Sequence, residues 1–229
     1  MLPTSSFISI PLLAAIFRCS HALQTAPPTS SSILNHADIT WKLRPPPEMP
    51  WFQQLQYTIG GPLIRLQCKL SGEEPPRLLF PNAPSVVLEA WLSKEKIGRF
   101  GCTVTPGPTT PALLDVVGSL YGQTNRFAVP TGAIIYMFVE PTYRGRGVGR
   151  LALETIGVLQ AAKGCDFTVL VADDKDTETR KLVRWYESHG FSCAPSLQEM
   201  LGSPDGKYGI AMIGPTPTDF PKDCVVQWW

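Results

Sequence analysis

Between residues 139 and 150 the chain reads Val-Glu-Pro-Thr-Tyr-Arg-Gly-Arg-Gly-Val-Gly-Arg. Glycines at 145, 147 and 149 alternate with other residues, and arginines stand at 144, 146 and 150. A glycine-rich turn that feeds a helix leaves backbone N–H groups unpaired at the positive end of the helix dipole. Such a turn receives phosphate oxygens. Guanidinium groups beside it add charge in a geometry that suits phosphate better than ammonium does. Three alternating glycines cost backbone entropy that an ordinary turn would not spend, so a ligand must approach closely.

The spacing excludes two familiar phosphate sites. The nucleotide P-loop ends in Gly-Lys-Ser/Thr, and no lysine follows these glycines. The dinucleotide fingerprint places its third glycine three residues after the second, which alternate glycines do not. Arg144, Gly147 and Gly149, as Arg-x-x-Gly-x-Gly, instead resemble the pyrophosphate loop of the GNAT superfamily of acyl-CoA N-acyltransferases. Val139-Glu140-Pro141-Thr142-Tyr143 is similar to the approach to that loop. Trp185-Tyr186-Glu187-Ser188-His189-Gly190-Phe191 resembles the family's second signature, a helix with a tyrosine ending in Gly-Phe. The resemblance spans residues 85–192, the best-supported core of a GNAT domain at 37–229.

That resemblance implies acetyl-CoA as co-substrate, no metal, and transfer of an acetyl group to a primary amine. It implies a cofactor site of Met137, Phe138, Val139, Arg144, Gly145, Arg146, Gly147, Val148, Gly149 and Arg150. The pantetheine arm would pair with the fourth strand at Met137–Val139, so strands four and five should splay apart near Val139. Tyr186 matches the tyrosine that donates a proton to the departing sulfur; it also shares a helix face with Leu182 and Val183 and can be a core aromatic. Asp174, after Asp173 at the end of the fifth strand, is the candidate base, because adjacent carboxylates raise one pKa; a solvated turn is the competing reading. Glu140 and Glu89 are weaker candidates. Many relatives carry an asparagine seven residues before the tyrosine, where this chain has Thr179. That departure motivates the alternative of a non-catalytic CoA-binding regulatory module.

These residues need elements to hold them. Ala133 to Val139 is an apolar run of buried-strand type, and Leu151, Ala152, Thr155, Leu159 and Ala162 recur at helical spacing behind the glycines. Upstream, Thr40–Leu43 is a first strand, and Val86–Leu92 and Ile97–Val104 form a hairpin over Ser93–Lys96. Thr110-Pro111 reads as an N-cap with proline at the first helical position, opening a helix that ends at Gly122. This helix sits between the third and fourth strands, where the family usually has a tight hairpin. It either covers the acceptor side or packs without a functional role. Downstream come a strand at Phe167–Val171, a helix at Thr177–Ser188 capped by Gly190, and strands from Phe191 and over Tyr208–Ile213. The class is α/β: a single GNAT-like domain with a mixed, strongly twisted sheet of about six or seven strands and flanking helices.

The 229 residues suit one domain, and 44% apolar content builds a full core. A formal charge of +1, from 20 basic and 19 acidic residues, argues against a nucleic-acid binder and an electrostatic membrane binder. Six scattered cysteines lack zinc or redox spacing and read as reduced thiols. Residues 1–36 form a disordered targeting leader: no Asp or Glu, one Arg, an apolar run at Phe7–Phe17 too short to span a bilayer, and small residues at Ser20-His21-Ala22. Reduced thiols with this two-part leader favour a plastid; a secretory peptide and a cytoplasmic tail are the alternatives. After leader removal no stable membrane association is expected. The side of the site that would take the amine acceptor, protein or small molecule, is built from residues 44–84 and 105–132, which carry no recognisable pattern.

Overall fold

The computed structural model describes residues 32–45, 84–173, 180–203, 206, 208–217, 224 and 226–228. Much of the expected leader, the segment between the first two strands and Asp174 to Thr179 lie outside these residues. Eight strands form one mixed sheet: β1 (Thr40–Arg44), β2 (Val86–Leu92), β3 (Glu95–Gly107), β4 (Thr131–Val139), β5 (Phe167–Ala172), β6 (Ser192–Cys193), β7 (Ile210–Pro215) and β8 (Val226–Trp228). Their order is β6-β7-β5-β4-β3-β2-β1-β8. The sheet exceeds the expected six or seven strands because the short β8 adds in parallel to β1, from Trp41↔Val226 to Leu43↔Trp228. Three residues are too few for a sequence pattern to announce.

The helices are α1 (Pro111–Tyr121), α2 (Val148–Ala162) and α3 (Lys181–Glu187). Two cores lie on opposite faces of the sheet. One gathers Trp41, Leu43, Leu88, Phe100 and Ile134 around Val148, Leu151, Ala152 and Ile156 of α2 and Val183 and Tyr186 of α3. The other gathers Ala133, Ile135, Val169 and Ile213 around Leu113, Val116 and Val117 of α1. β5 lies between them and is buried throughout, so it reads as a continuous apolar run.

Thr110 accepts a hydrogen bond from the Leu113 N–H, Pro111 opens α1, and Gly122 closes it at φ +67°. Tyr121 donates to the Ile213 carbonyl at 2.8 Å, tying the end of α1 to β7. α1 is therefore a packed core element. In the β2–β3 hairpin only Ser93 and Lys94 lie outside the strands, and Ser93 takes φ +56°; Glu95 and Lys96, expected at the tip, already belong to β3. α3 starts at Lys181, after Arg180 in the left-handed region at φ +45°; the start expected at Thr177 lies outside the described residues. Gly190 at φ +86° ends it, with Phe191 N–H bonded to the Tyr186 carbonyl and Gly190 N–H to that of Glu187. The packed chain reaches back to Leu34, which is 5% exposed, ahead of the boundary expected at residue 37.

Candidate functional site

β4 and β5 run parallel and pair only at Thr131↔Phe167, Gly132↔Thr168 and Ala133↔Val169. Beyond Ala133, β4 continues to Val139 on β3 alone, and β5 continues to Ala172 on β7 alone. The two strands thus open into a wedge that widens toward Val139. Its cause is local. Gly101 faces Tyr136 and Cys102 faces Ile134, leaving Ile135 as an extra residue in β4. A bulge of this kind bends its strand and increases the local twist.

The closed end of the wedge is pinned from α2. The Gln160 side-chain amide donates to the carbonyls of Thr103 at 3.0 Å and Ala133 at 3.3 Å, and its oxygen accepts from the Thr168 hydroxyl. One side chain joins β3, β4 and β5 where the pairing stops. A Cβ on Gly132 would lie 2.5 Å from the Gln160 amide, so glycine lets that side chain cross β4. The sequence carried a signal for this in a glutamine on the buried stripe of α2 and a glycine inside a strand.

Past Val139 the chain makes a 3₁₀ turn at Pro141–Tyr143 and enters the glycine loop. Glu140 N–H bonds the Ile97 carbonyl at 3.0 Å, and the Tyr143 hydroxyl donates to Glu95 at 2.7 Å. That bond to a carboxylate raises the Tyr143 pKa. The entry to the loop is so fixed to the β2–β3 hairpin. Gly145 and Gly147 have φ +77° and +88°, values a side chain resists. Gly147 is the N-cap of α2 and supplies no side-chain cap, which leaves the first N–H groups of the helix for a ligand. The glycine turn and the uncapped helix fit a pyrophosphate. Gly149 has no such constraint: a Cβ there would meet the Trp185 ring at 3.6 Å, an ordinary contact.

The three arginines are held differently. Arg144 donates through Nε to the Val139 carbonyl at 3.0 Å and lies 6.0 Å from the Phe138 ring. Arg146 stacks 5.2 Å above Tyr143. Arg150 pairs with Glu154 at 2.6 Å, one turn along α2. Glu154 also bonds His36 Nε2 at 2.8 Å. Partly exposed pairs of this sort contribute about 0–1 kcal/mol, so a phosphate can compete for them. His36 was not visible as a partner in the sequence, because 118 residues separate it from Glu154.

Tyr186 on α3 is 4% exposed, and its hydroxyl donates to the Met137 sulfur on β4 at 3.4 Å. Its ring packs edge-on to Trp185 and Phe191. The ring is thus part of the core, and the hydroxyl reaches β4, the strand that borders the wedge. Met137, Phe138 and Val139 form the last turn of β4 before the loop, with Phe138 41% exposed. Asp174 lies outside the described residues. Glu89 is buried and surrounded by Arg44 at 3.1 Å, Lys96 at 3.5 Å and the Trp91 indole N–H at 3.2 Å. Its carboxylate is thus held by two cations and an indole N–H on the β1–β3 side of the sheet. Burial pushes the Cys102 thiol up to about 12, with Cys165 adding to the effect, and Cys165 up to about 11. Neither is a nucleophile near neutral pH. Among the described residues no three His, Cys, Asp or Glu side chains are grouped to hold a metal ion.

Residues 113–193 match the family model described as the acetyltransferase (GNAT) domain, a stretch that holds the wedge, the glycine loop and Tyr186. Among curated proteins none matches the chain. Similar solved structures include Ard1 from Thermoplasma volcanium, 13% identical over 57% of this chain and 70% of that one, with a TM-score of 0.38. PaiA N-acetyltransferase from Thermoplasma acidophilum, in complex with coenzyme A, is 13% identical over 72% and 75%, at 0.37. The GphF GNAT-like decarboxylase, in complex with isobutyryl-CoA, is 12% identical over 57% and 78%, at 0.39.

Proposed function

We propose that this chain, whose residues 113–193 match the acetyltransferase (GNAT) domain, transfers an acetyl group from acetyl-CoA to a primary amine by direct attack in a ternary complex. The observation that carries this reading is the wedge, which opens beyond Ala133 with the glycine loop at its wide end and the Tyr186 hydroxyl at its side. The N–H groups of Gly145 to Arg150 take the pyrophosphate of CoA, with Arg144, Arg146 and Arg150 supplying charge. The edge of β4 from Met137 to Val139 pairs with the pantetheine arm and directs the thioester into the wedge. Fixing both reactants there supplies rate mainly through proximity and orientation.

The amine acceptor is a protein N-terminus, a lysine side chain or a small molecule. Its ammonium gives up a proton to Asp174, directly or through water, and the nitrogen then attacks the thioester carbon. A β4 backbone N–H stabilises the oxygen as it becomes negative. As the carbon–sulfur bond breaks, the sulfur takes the Tyr186 hydroxyl proton, and the proton that the attacking nitrogen sheds in becoming an amide returns to the Tyr186 oxygen through water. The inert buried thiols agree with direct attack rather than an acyl-cysteine route.

Full-length protein incubated with acetyl-CoA and a panel of amines, read by mass spectrometry, tests the proposal. The panel holds peptides with free N-termini, lysine peptides, polyamines and amino acids. A gain of one acetyl group on one class is the expected result. Binding of acetyl-CoA with no transfer to any class would favour the regulatory module instead. The leader further supports delivery to a plastid, and residues 1–36 fused to a fluorescent protein should take it there; secretion or a diffuse cytoplasmic signal would refute that route.

A further inference from the structure

The segment from Ser32 to Asp38 runs along the glycine loop. The Leu34 N–H donates to the Arg146 carbonyl at 3.0 Å, and Arg146 Nε returns a bond to the Ser32 carbonyl at 3.4 Å. Leu34 is buried in the same core as Val148, the first residue of α2. Against Gly147 lie the Ile33 side chain and the Leu34 carbonyl, 3.6 and 3.7 Å from where a Cβ would stand. One turn later, the His36 side chain is 10% exposed and bonds Glu154, which in turn holds Arg150. An Asn35–Asp38 capping box at the short turn His36–Asp38 fixes the direction of the segment. Residues 32–38 thus reach the phosphate loop directly at Arg146 and Gly147 and, through Glu154, at Arg150.

The side from which the segment approaches decides its role. In a trans peptide the C=O and the following N–H point in opposite directions. The Arg146 carbonyl faces Leu34, so the Gly147 N–H points away from the segment. At this peptide the segment therefore stands behind the loop and leaves the Gly147 N–H uncovered.

We propose that Ser32–Asp38 is a strap that holds the glycine loop in its anion-receiving form, with Leu34 and His36 as positioning residues for the acyl-CoA site. The proposal rests on the reading of the loop as a pyrophosphate site. Two residues of the loop, Gly145 and Gly147, sit in conformations that only glycine adopts freely, and an unsupported glycine chain loses that order in solution. Holding the loop from behind moves the ordering cost from binding to folding, which raises affinity without a new contact to the ligand. A consequence concerns maturation: removal of the leader must cut ahead of Ser32, as a cleavage beside Ala22 would.

Full-length wild type and the Leu34→Ala, Leu34→Ile and His36→Ala variants, titrated with CoA by calorimetry, test the strap. CoA affinity should fall about tenfold in Leu34→Ala and His36→Ala and stay near wild type in Leu34→Ile. Once an acceptor is known, the KM for acetyl-CoA should rise while the KM for the amine and kcat hold. Hydrogen exchange without ligand should speed up at residues 145–150 in the weakened variants, measured well below their melting temperatures. Unchanged CoA affinity and unchanged loop exchange in both variants would overturn the strap, even where the melting temperature falls. A wild type that fails to bind CoA would instead overturn the reading of the loop.

Discussion

Gly147 and Gly149 separate what conformation demands from what packing tolerates. At Gly147, φ +88° makes any side chain strained by about 1–2 kcal/mol, and the residue caps α2 with its backbone alone. Gly147→Ala should lower both the melting temperature and the CoA affinity. Gly149→Ala should leave both near wild type, because its Cβ meets Trp185 at an ordinary 3.6 Å. Thermal melts with CoA titration of the two variants check the contrast. Tyr186→Phe keeps the ring between Trp185 and Phe191 and removes only the hydroxyl bonded to Met137. Its kcat should fall roughly 10²–10⁴-fold with the KM for acetyl-CoA unchanged, as expected for loss of a proton donor. Cys102 gives a pH signature. Its folded pKa of about 12 lies above the ordinary 9.0, so the folded state holds the proton more tightly. That contribution is complete below pH 9 and is lost as pH rises toward 12. Melting temperatures at pH 8 and pH 10.5 should therefore drop in the wild type by more than in Cys102→Ala.

The elements that could be read from the sequence are those whose signals are local. Thr110, Pro111 and Gly122 bounded α1 to the residue, since cap, first-turn proline and left-handed glycine each act over a few positions. Thr110→Ala should cost about 1 kcal/mol by chemical denaturation, the usual value of a lost N-cap. The apolar run of β4 and the glycines behind it placed the loop for the same reason. What stayed hidden depends on partners far away in the chain. β8 exists because β1 offers it an edge, and its three residues carry no period of their own. The start of α3 is set by the left-handed Arg180, which no propensity announces. A glutamine on the buried stripe of α2 hinted at a role for Gln160, but its partners Thr103, Ala133 and Thr168 come from three strands and could not be named from the sequence. Gln160→Leu should leave the Thr168 hydroxyl and two carbonyls unpaired and destabilise the fold by about 2–3 kcal/mol. The same denaturation series will show it.

At the scale of the whole molecule, one sheet divides the labour. The β3–β2–β1 side anchors the entry to the loop through Glu95 and Ile97, and the β5–β7 side carries α3 and Tyr186. The wedge between β4 and β5 is where the two halves part, and the strap from the N-terminus braces its wide end. The halves are joined through the paired base, Gln160, the Tyr186–Met137 bond and the core beneath α2 and α3, so the opening is a property of the sheet and not of a single loop. The paired base and bulge were foreseen only as a splay implied by resemblance; their cause, the extra Ile135, appears in the register alone. The central claim is that the glycine loop and this wedge together receive an acyl-CoA. Calorimetric titration of CoA into the wild type and Gly147→Trp tests it most directly. One-to-one binding by the wild type and none by the variant, with both proteins folded, is the expected result. Equal binding by the two would contradict it.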